Sequence, residues 1–281
     1  MTAPSLNISQ KIEPSVADLC AIVAGCAMRL QIPYLVVGAS ARDMVLHYGY
    51  AAKVQRATAD IDFALQVPSW AAFAALRREL IRNNFSETIA THRLIGPNNW
   101  PIDIVPFGGV ADERANIQWP PSGDFVMSVL GFVEALNHAN IVRLSDMPIL
   151  DVPVASPEGM TMLKFIAWTD RAADARKKDA KDIAYLLTTY ENIPAVSDQL
   201  YRELTLMELY SWDITLASAH QLGINVKQMA LPQTRSVISD VLNKQSAKLS
   251  VEKLINEMCE NPDQYARNAM LIDAFGAGFF S

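Results

Sequence analysis

Three carboxylates stand where a chain seldom puts them without compensation. Asp60 and Asp62 flank Ile61 at the start of an apolar run, Asp60-Ile61-Asp62-Phe63-Ala64-Leu65. Side chains alternate across a strand, so residues i and i+2 share a face. The two acids would point one way, and Ile61 and Phe63 the other, into the core. Asp103 lies inside a second short run, Pro101-Ile102-Asp103-Ile104-Val105-Pro106-Phe107, with Ile102 and Ile104 on the opposite face. Adjacent carboxylates repel, and one would hold its proton unless a cation intervened. Hard divalent cations take oxygen ligands, usually one or two carboxylates plus substrate phosphates. The pattern therefore offers metal-assisted phosphate chemistry. Each motif also has a plainer reading. Asp-x-Asp often marks a solvated loop end, and prolines permit Asp103 on the exposed face of an edge strand.

A strand and a turn must bring a phosphate to those acids. Tyr34-Leu35-Val36-Val37 runs into Gly38, and a helical pattern follows from Ala39 or Ser40 to Tyr48. Glycine lets the backbone turn sharply and approach a ligand closely. The N–H groups and positive dipole end of the following helix suit a phosphate. The Ser40 hydroxyl could donate to the same oxygens. Arg42 and Asp43 on this helix read as a local ion pair. Arg56, just before the acidic strand, is equally a triphosphate contact or a solvated loop charge.

The 281 residues are 51% hydrophobic and 19% charged, which predicts a substantial core and excludes global disorder. A net charge of −6 argues against a surface wholly given to nucleic acid, though not against a local basic patch. Cys20, Cys26 and Cys259 have no metal-like spacing, and Cys20 and Cys26, in an apolar helical run, read as buried small hydrophobes in a reducing compartment. No signal peptide is legible, and the apolar run Leu19–Met28 is too short to span a bilayer. A cytoplasmic protein without a membrane segment is expected.

Along the chain, residues 1–14 read as a loose arm, and a helix capped by Ser15 should run to Leu30. After the Asp60–Val67 strand, Ser69–Asn83 reads as a helix with Trp70, Phe73, Leu76, Leu80 and Ile81 as its buried stripe. Arg77, Arg78 and Arg82 lie elsewhere on it, a solvated face or a nucleic-acid contact. Phe85–Leu94 and Trp100–Phe107 read as strands about Gly96-Pro97-Asn98-Asn99, and a lone His92 is more often structural than catalytic. Phe125–Leu136 reads as short helix or strand, Ile141–Leu144 and Ile149–Val154 as short strands. From Ser156-Pro157-Glu158 the pattern turns helical, with helices to about Asp170 and from about Lys178 to Tyr190. Residues 196–280 are helical by periodicity. The expected fold class is α+β: a mixed sheet flanked by helices, then a helical C-terminal part, with domains at 1–155 and 156–281.

Gly38-Ala39, Asp60-x-Asp62 and the later Asp103 resemble the signature of DNA polymerase β-like nucleotidyltransferases. V-V-G-A-S-A-R-D, R-A-T-A-D-I-D-F, P-I-D-I-V-P-F, M-L-K-F-I-A-W-T-D-R and K-K-D-A-K-D-I are similar to segments of the AbiEii/AbiGii toxins of type IV toxin–antitoxin and phage-defence systems. The turn departs from the usual Gly-Gly or Gly-Ser, and G-A-S-A-R-D also resembles the G-G-x-V-R-D turn of CCA-adding enzymes. The resemblance implies a nucleotidyltransferase-like sheet and catalysis by Asp60, Asp62 and Asp103 through two Mg²⁺ ions, or Mn²⁺. It implies nucleoside triphosphate binding by Gly38, Ala39, Ser40 and Arg56. Lys164, Lys178, Asp179 and Asp182 match a later segment that contacts nucleotide or braces the site; the plain alternative is a solvated charge cluster. The implied partners are a tRNA or other RNA acceptor, or a protein hydroxyl, and an antitoxin protein. A small-molecule acceptor, as in antibiotic nucleotidyltransferases, and a catalytically silent nucleotide-binding module are the competing expectations.

Overall fold

The computed structural model describes residues 5–55, 58, 60–120, 123, 125–243 and 249–281. The chain divides into two compact units, Met1–Gly49 with Lys53–Ser156, and Tyr50–Ala52 with Pro157–Ser281.

The first unit is a sheet with helices packed on it. Its elements are β1 (Leu6–Asn7), α1 (Pro14–Arg29), β2 (Tyr34–Val37), α2 (Gly38–Arg42), β3 (Ile61–Val67), α3 (Trp70–Arg82), β4 (Ser86–Glu87), β5 (Arg93–Ile95), β6 (Pro101–Gly108), β7 (Asn116–Gln118), β8 (Val126–Ser128), α4 (Phe132–Asn137), β9 (Asn140–Asp146) and β10 (Ile149–Val154). A π-helical turn, Asp43–Gly49, continues α2. The eight-stranded sheet has the order β1-β9-β10-β2-β3-β6-β5-β4. It is mixed: β3 and β6 run parallel, while β2 pairs antiparallel with β3, and β5 with β6. Phe63, Leu65, Ile102 and Ile104 are fully buried, as the alternation of their strands requires.

Four local expectations change. Leu6–Asn7 is not loose, because it adds a parallel edge strand to β9 and brings Ile8 into the core. Helix α1 starts at Pro14 with Glu13 as N-cap, not at Ser15, since proline's fixed φ suits a first helical position. Ile81 falls off the buried stripe of α3 and is 38% exposed. The long Phe85–Leu94 strand is two short ones, β4 and β5, with residues 88–92 outside both. His92 packs its ring on Trp119, which also meets Trp70 and Phe73. Cys20 and Cys26 are free and buried, and burial pushes the Cys20 thiol up to about 12. Among the described residues, no helix is long and apolar enough to cross a membrane.

The second unit is helical: α5 (Pro157–Asp170), α6 (Ala173–Thr189), α7 (Pro194–Glu203), α8 (Thr205–Leu209), α9 (Ile214–Met229), α10 (Pro232–Leu242), α11 (Val251–Met258) and α12 (Tyr265–Phe280). Helix α6 begins five residues before the expected Lys178, because the charged turn Ala173–Lys177 has no apolar stripe to announce it. Phe165 stacks on Phe275 at 5.2 Å. Two glycines let α9 and α12 touch backbone to backbone. A Cβ at Gly278 would lie 1.9 Å from the His220 carbonyl oxygen, and one at Gly223 2.1 Å from that of Phe275. Arg176 donates two-pronged hydrogen bonds to Glu257, which also accepts from the Trp168 indole at 2.8 Å. That buried pair ties α5, α6 and α11 together.

Gly278→Ala should force α9 and α12 apart and lower stability by about 1–3 kcal/mol, the usual range for overpacking. Urea unfolding followed by circular dichroism checks it.

Candidate active site

Strand register, rather than proximity in sequence, assembles the acids. Asp62 on β3 stands opposite Asp103 on β6 in parallel register. Neighbouring strands lie about 4.8 Å apart, so the two carboxylates leave the sheet side by side on one face. Arg93, the first residue of β5, stands opposite Asp103 on its other side. The row across three strands thus reads Arg93, Asp103, Asp62, and Val37 on β2 completes it beside Gly38.

Asp60 sits one residue before β3 begins, not within the strand. Its carboxylate nevertheless reaches the same row. The Arg93 guanidinium donates from Nε to Asp103 Oδ1 at 2.6 Å and from Nη2 to Asp103 Oδ2 at 2.7 Å. The same Nη2 donates to Asp60 Oδ2 at 2.6 Å. Two hydrogen bonds donated to Asp103, reinforced by the Asp103 and Asp60 charges, outweigh partial burial and hold Arg93 well above the usual arginine range. Asp103 is 17% exposed and β6 is interior at that point, so the edge-strand reading fails. Pro106 lies beyond the residues paired with β5, where a missing N–H leaves no partner wanting.

Gly38 has a more local reason to be glycine than approach to a ligand. Its φ is +70°, and a Cβ there would lie 1.9 Å from Asp62 Oδ2 and 2.8 Å from its Cγ. The turn is therefore seated against the Asp62 carboxylate. Ala39 follows in the first turn of α2. Ser40 is buried, and its hydroxyl donates to the Asp60 carbonyl at 2.7 Å, so in this structure its proton braces the acidic segment. The expected Arg42–Asp43 pair forms, with Nη2 to Oδ1 at 2.8 Å, and is almost fully buried. Thr58 donates to the other Asp43 oxygen, which fixes the approach to Asp60 from the α2 side. Arg56 lies outside the described residues.

Lys164, Asp179 and Asp182 belong to the helical unit. Lys164 on α5 reaches Asp179 at 2.9 Å and Asp182 at 2.7 Å on α6, and Arg171 reaches Asp179 at 2.9 Å. Both carboxylates are buried, so this is no solvated charge cluster. Burial works against the Lys164 charge, but the two carboxylates outweigh it and raise its pKa above the usual value. Arg77 and Arg82 of α3 pair with Glu87 and Glu79.

The donor set suits a hard divalent ion: three carboxylates, no sulfur or imidazole. Arg93 supplies the test of fit, since one cation already draws Asp60 and Asp103 together. Among the described residues, however, no three acid, histidine or cysteine side chains are spaced as a ready metal cluster. The guanidinium stands among the carboxylates. Arg93 escaped the sequence reading because nothing local distinguishes it from a surface arginine; only the β5–β6 register does.

A mixed sheet with acids at adjacent strand positions and a glycine turn beside them defines a nucleotidyltransferase-like protein. The family described as nucleotidyl transferase AbiEii toxin, Type IV TA system, matches residues 37–211, more than half of the chain. The chain belongs to that family. No curated protein matches its sequence directly. Among solved structures it is similar to ANT(2")-Ia in complex with adenylyl-2"-tobramycin, at 13% identity and a TM-score of 0.37, over 62% of this chain and 88% of that one. It is also similar to the Thermotoga maritima CCA-adding enzyme complexed with tRNA_CCA, at 13% identity and a TM-score of 0.27, over 97% of this chain and 82% of that one. These likenesses are distant, and membership stands on the family match.

Gly38→Ala should cost about 1–3 kcal/mol of stability through its positive φ and its clash with Asp62. Adding Asp62→Ala should restore part of that loss in a double-mutant cycle, since only the clash is relieved. Lys164→Met should cost about 3–5 kcal/mol by leaving buried carboxylates without their ammonium. Because the Lys164 pKa is raised, its contribution is complete below pH 10.5 and fades only as pH climbs through the folded value. Unfolding at pH 7 and pH 11 should show the wild-type advantage shrinking at the higher pH.

Proposed function

We propose that this protein transfers a nucleoside monophosphate from a nucleoside triphosphate to a hydroxyl at an RNA end, with tRNA the leading acceptor, as the toxin of a phage-defence pair. The observation that carries the reading is the row of Asp103 and Asp62 on adjacent parallel strands, with Asp60 drawn to it. In this reading the protein acts in the cytoplasm, and a separate antitoxin protein counters it.

Asp60, Asp62 and Asp103 would hold two Mg²⁺ ions, or Mn²⁺. Such ions neutralise triphosphate charge and stabilise the attacking and leaving oxygens of an in-line displacement. The chain's own groups do the rest. The Gly38 turn and Ala39 place backbone N–H groups beside Asp62, where phosphate oxygens can be received. Ser40 keeps Asp60 in place through its backbone, and Arg56 stands two residues before Thr58 as a further phosphate contact. The acceptor oxygen bonds to the α-phosphorus, the bond from that phosphorus to the pyrophosphate oxygen breaks, and the hydroxyl proton passes to the Asp103 carboxylate. Lys164 and Asp179 are assigned a bracing role within the helical unit, because each already engages the other in a buried ion cluster.

Purified protein should label RNA in Mg²⁺ with one or more of four radiolabelled nucleoside triphosphates. Asp62→Asn and Asp103→Asn should each lose at least about a hundredfold in rate, as misplaced reacting groups do. Transfer to RNA should also weaken steeply with salt. Labelling only of small hydroxyl compounds would move the acceptor to a small molecule, and no turnover with any acceptor would favour a silent nucleotide-binding module.

A further inference from the structure

The acidic row already contains a cation, the Arg93 guanidinium. Arg93 uses two nitrogens on the two oxygens of Asp103 and shares one of them with Asp60, at 2.6–2.7 Å throughout. Such forked, charge-assisted pairs are the strong ones. The position is built in: β5 places Arg93 directly across from Asp103, so the side chain has little distance to cover. The side chain is 37% exposed, so it also has room to leave.

The charge balance says what this does. Asp60, Asp62 and Asp103 carry three negative charges when ionised, and Arg93 removes one of them. Arg93 therefore occupies the acidic row as its counter-charge. A divalent ion held by Asp60 and Asp103 would need the oxygens that Arg93 holds. Ion and guanidinium must then exchange.

Taking these carboxylates as the cation site of nucleotidyl transfer, we propose that Arg93 is a resident counter-cation which the divalent ion displaces. The released guanidinium then meets the triphosphate entering on the same face of the sheet. Arg93 thus opposes metal binding on its own and favours metal binding together with nucleotide. Free metal does not load the site efficiently, whereas metal and nucleoside triphosphate load it together. By linkage, nucleotide tightens metal binding by the same factor as metal tightens nucleotide binding.

The test counts bound Mn²⁺ by electron paramagnetic resonance, without turnover. It compares wild type with Arg93→Gln and Arg93→Lys, with and without each of the four nucleoside triphosphates. Circular dichroism establishes that each variant is folded. Arg93→Gln should bind Mn²⁺ alone about tenfold more tightly or better, the equivalent of one hydrogen bond to a charged group. It should also lose most of the tightening that nucleotide brings. Arg93→Lys should fall between, since an ammonium keeps the charge but not the fork. If Arg93→Gln binds Mn²⁺ equally or more weakly while wild type binds it, the exchange is wrong and the carboxylate site stands. If Mn²⁺ binds to none of the three, with any nucleotide, the cation-site reading itself falls.

Discussion

Like charge gathered on one face of a sheet must be compensated, and the sheet unit of this protein is arranged around that requirement. Asp62 and Asp103 are forced side by side by the β3–β6 register. Asp60 joins them from the residue before β3, and Arg93 answers all of this from β5. The surrounding contacts keep the row in position. Gly38 fits against Asp62 because it lacks a side chain. Ser40 holds the Asp60 backbone, and Asp43 holds Thr58 just upstream. Beneath the row, Ile61, Phe63, Ile102 and Ile104 fix the strands by burial, so the polar face inherits the rigidity of the apolar one.

The helical unit solves a similar problem in a drier setting. Asp179 is fully buried, and Lys164 and Arg171 converge on it. The Arg176–Glu257 pair repeats the device between α6 and α11. Buried pairs of this kind add little net stability over apolar packing, but removing one partner is costly. They fix which helices meet.

Asp62 and Asp103 were legible in the sequence because strand alternation is a local rule, and Ile-Asp-Phe and Ile-Asp-Ile state which face each residue takes. Asp60 stands one residue before β3, outside that alternation, and meets the row through Arg93. Helix α5 was legible for a similar reason, since Ser156-Pro157 marks a start. Arg93 was not legible, because its meaning depends on which residue of another strand it faces. The same holds for Ser40, whose hydroxyl looked like a phosphate donor and donates instead to a carbonyl twenty residues on. Gly38 was read as glycine for a ligand's approach, whereas the nearest claimant to its missing side chain is Asp62. Leu6–Asn7 is too short for alternation to show, and α6 opens on charges without an apolar stripe. In each case the missing information is a tertiary partner.

The most direct test of the central claim is to locate the cation. Crystals grown with Mn²⁺ and a non-hydrolysable nucleoside triphosphate would be measured for the anomalous scattering of manganese. The account predicts a peak within about 2.2 Å of carboxylate oxygens from Asp60, Asp62 and Asp103, with Arg93 withdrawn from Asp103. A peak elsewhere, or one at the acids with Arg93 still forked on Asp103, would contradict it.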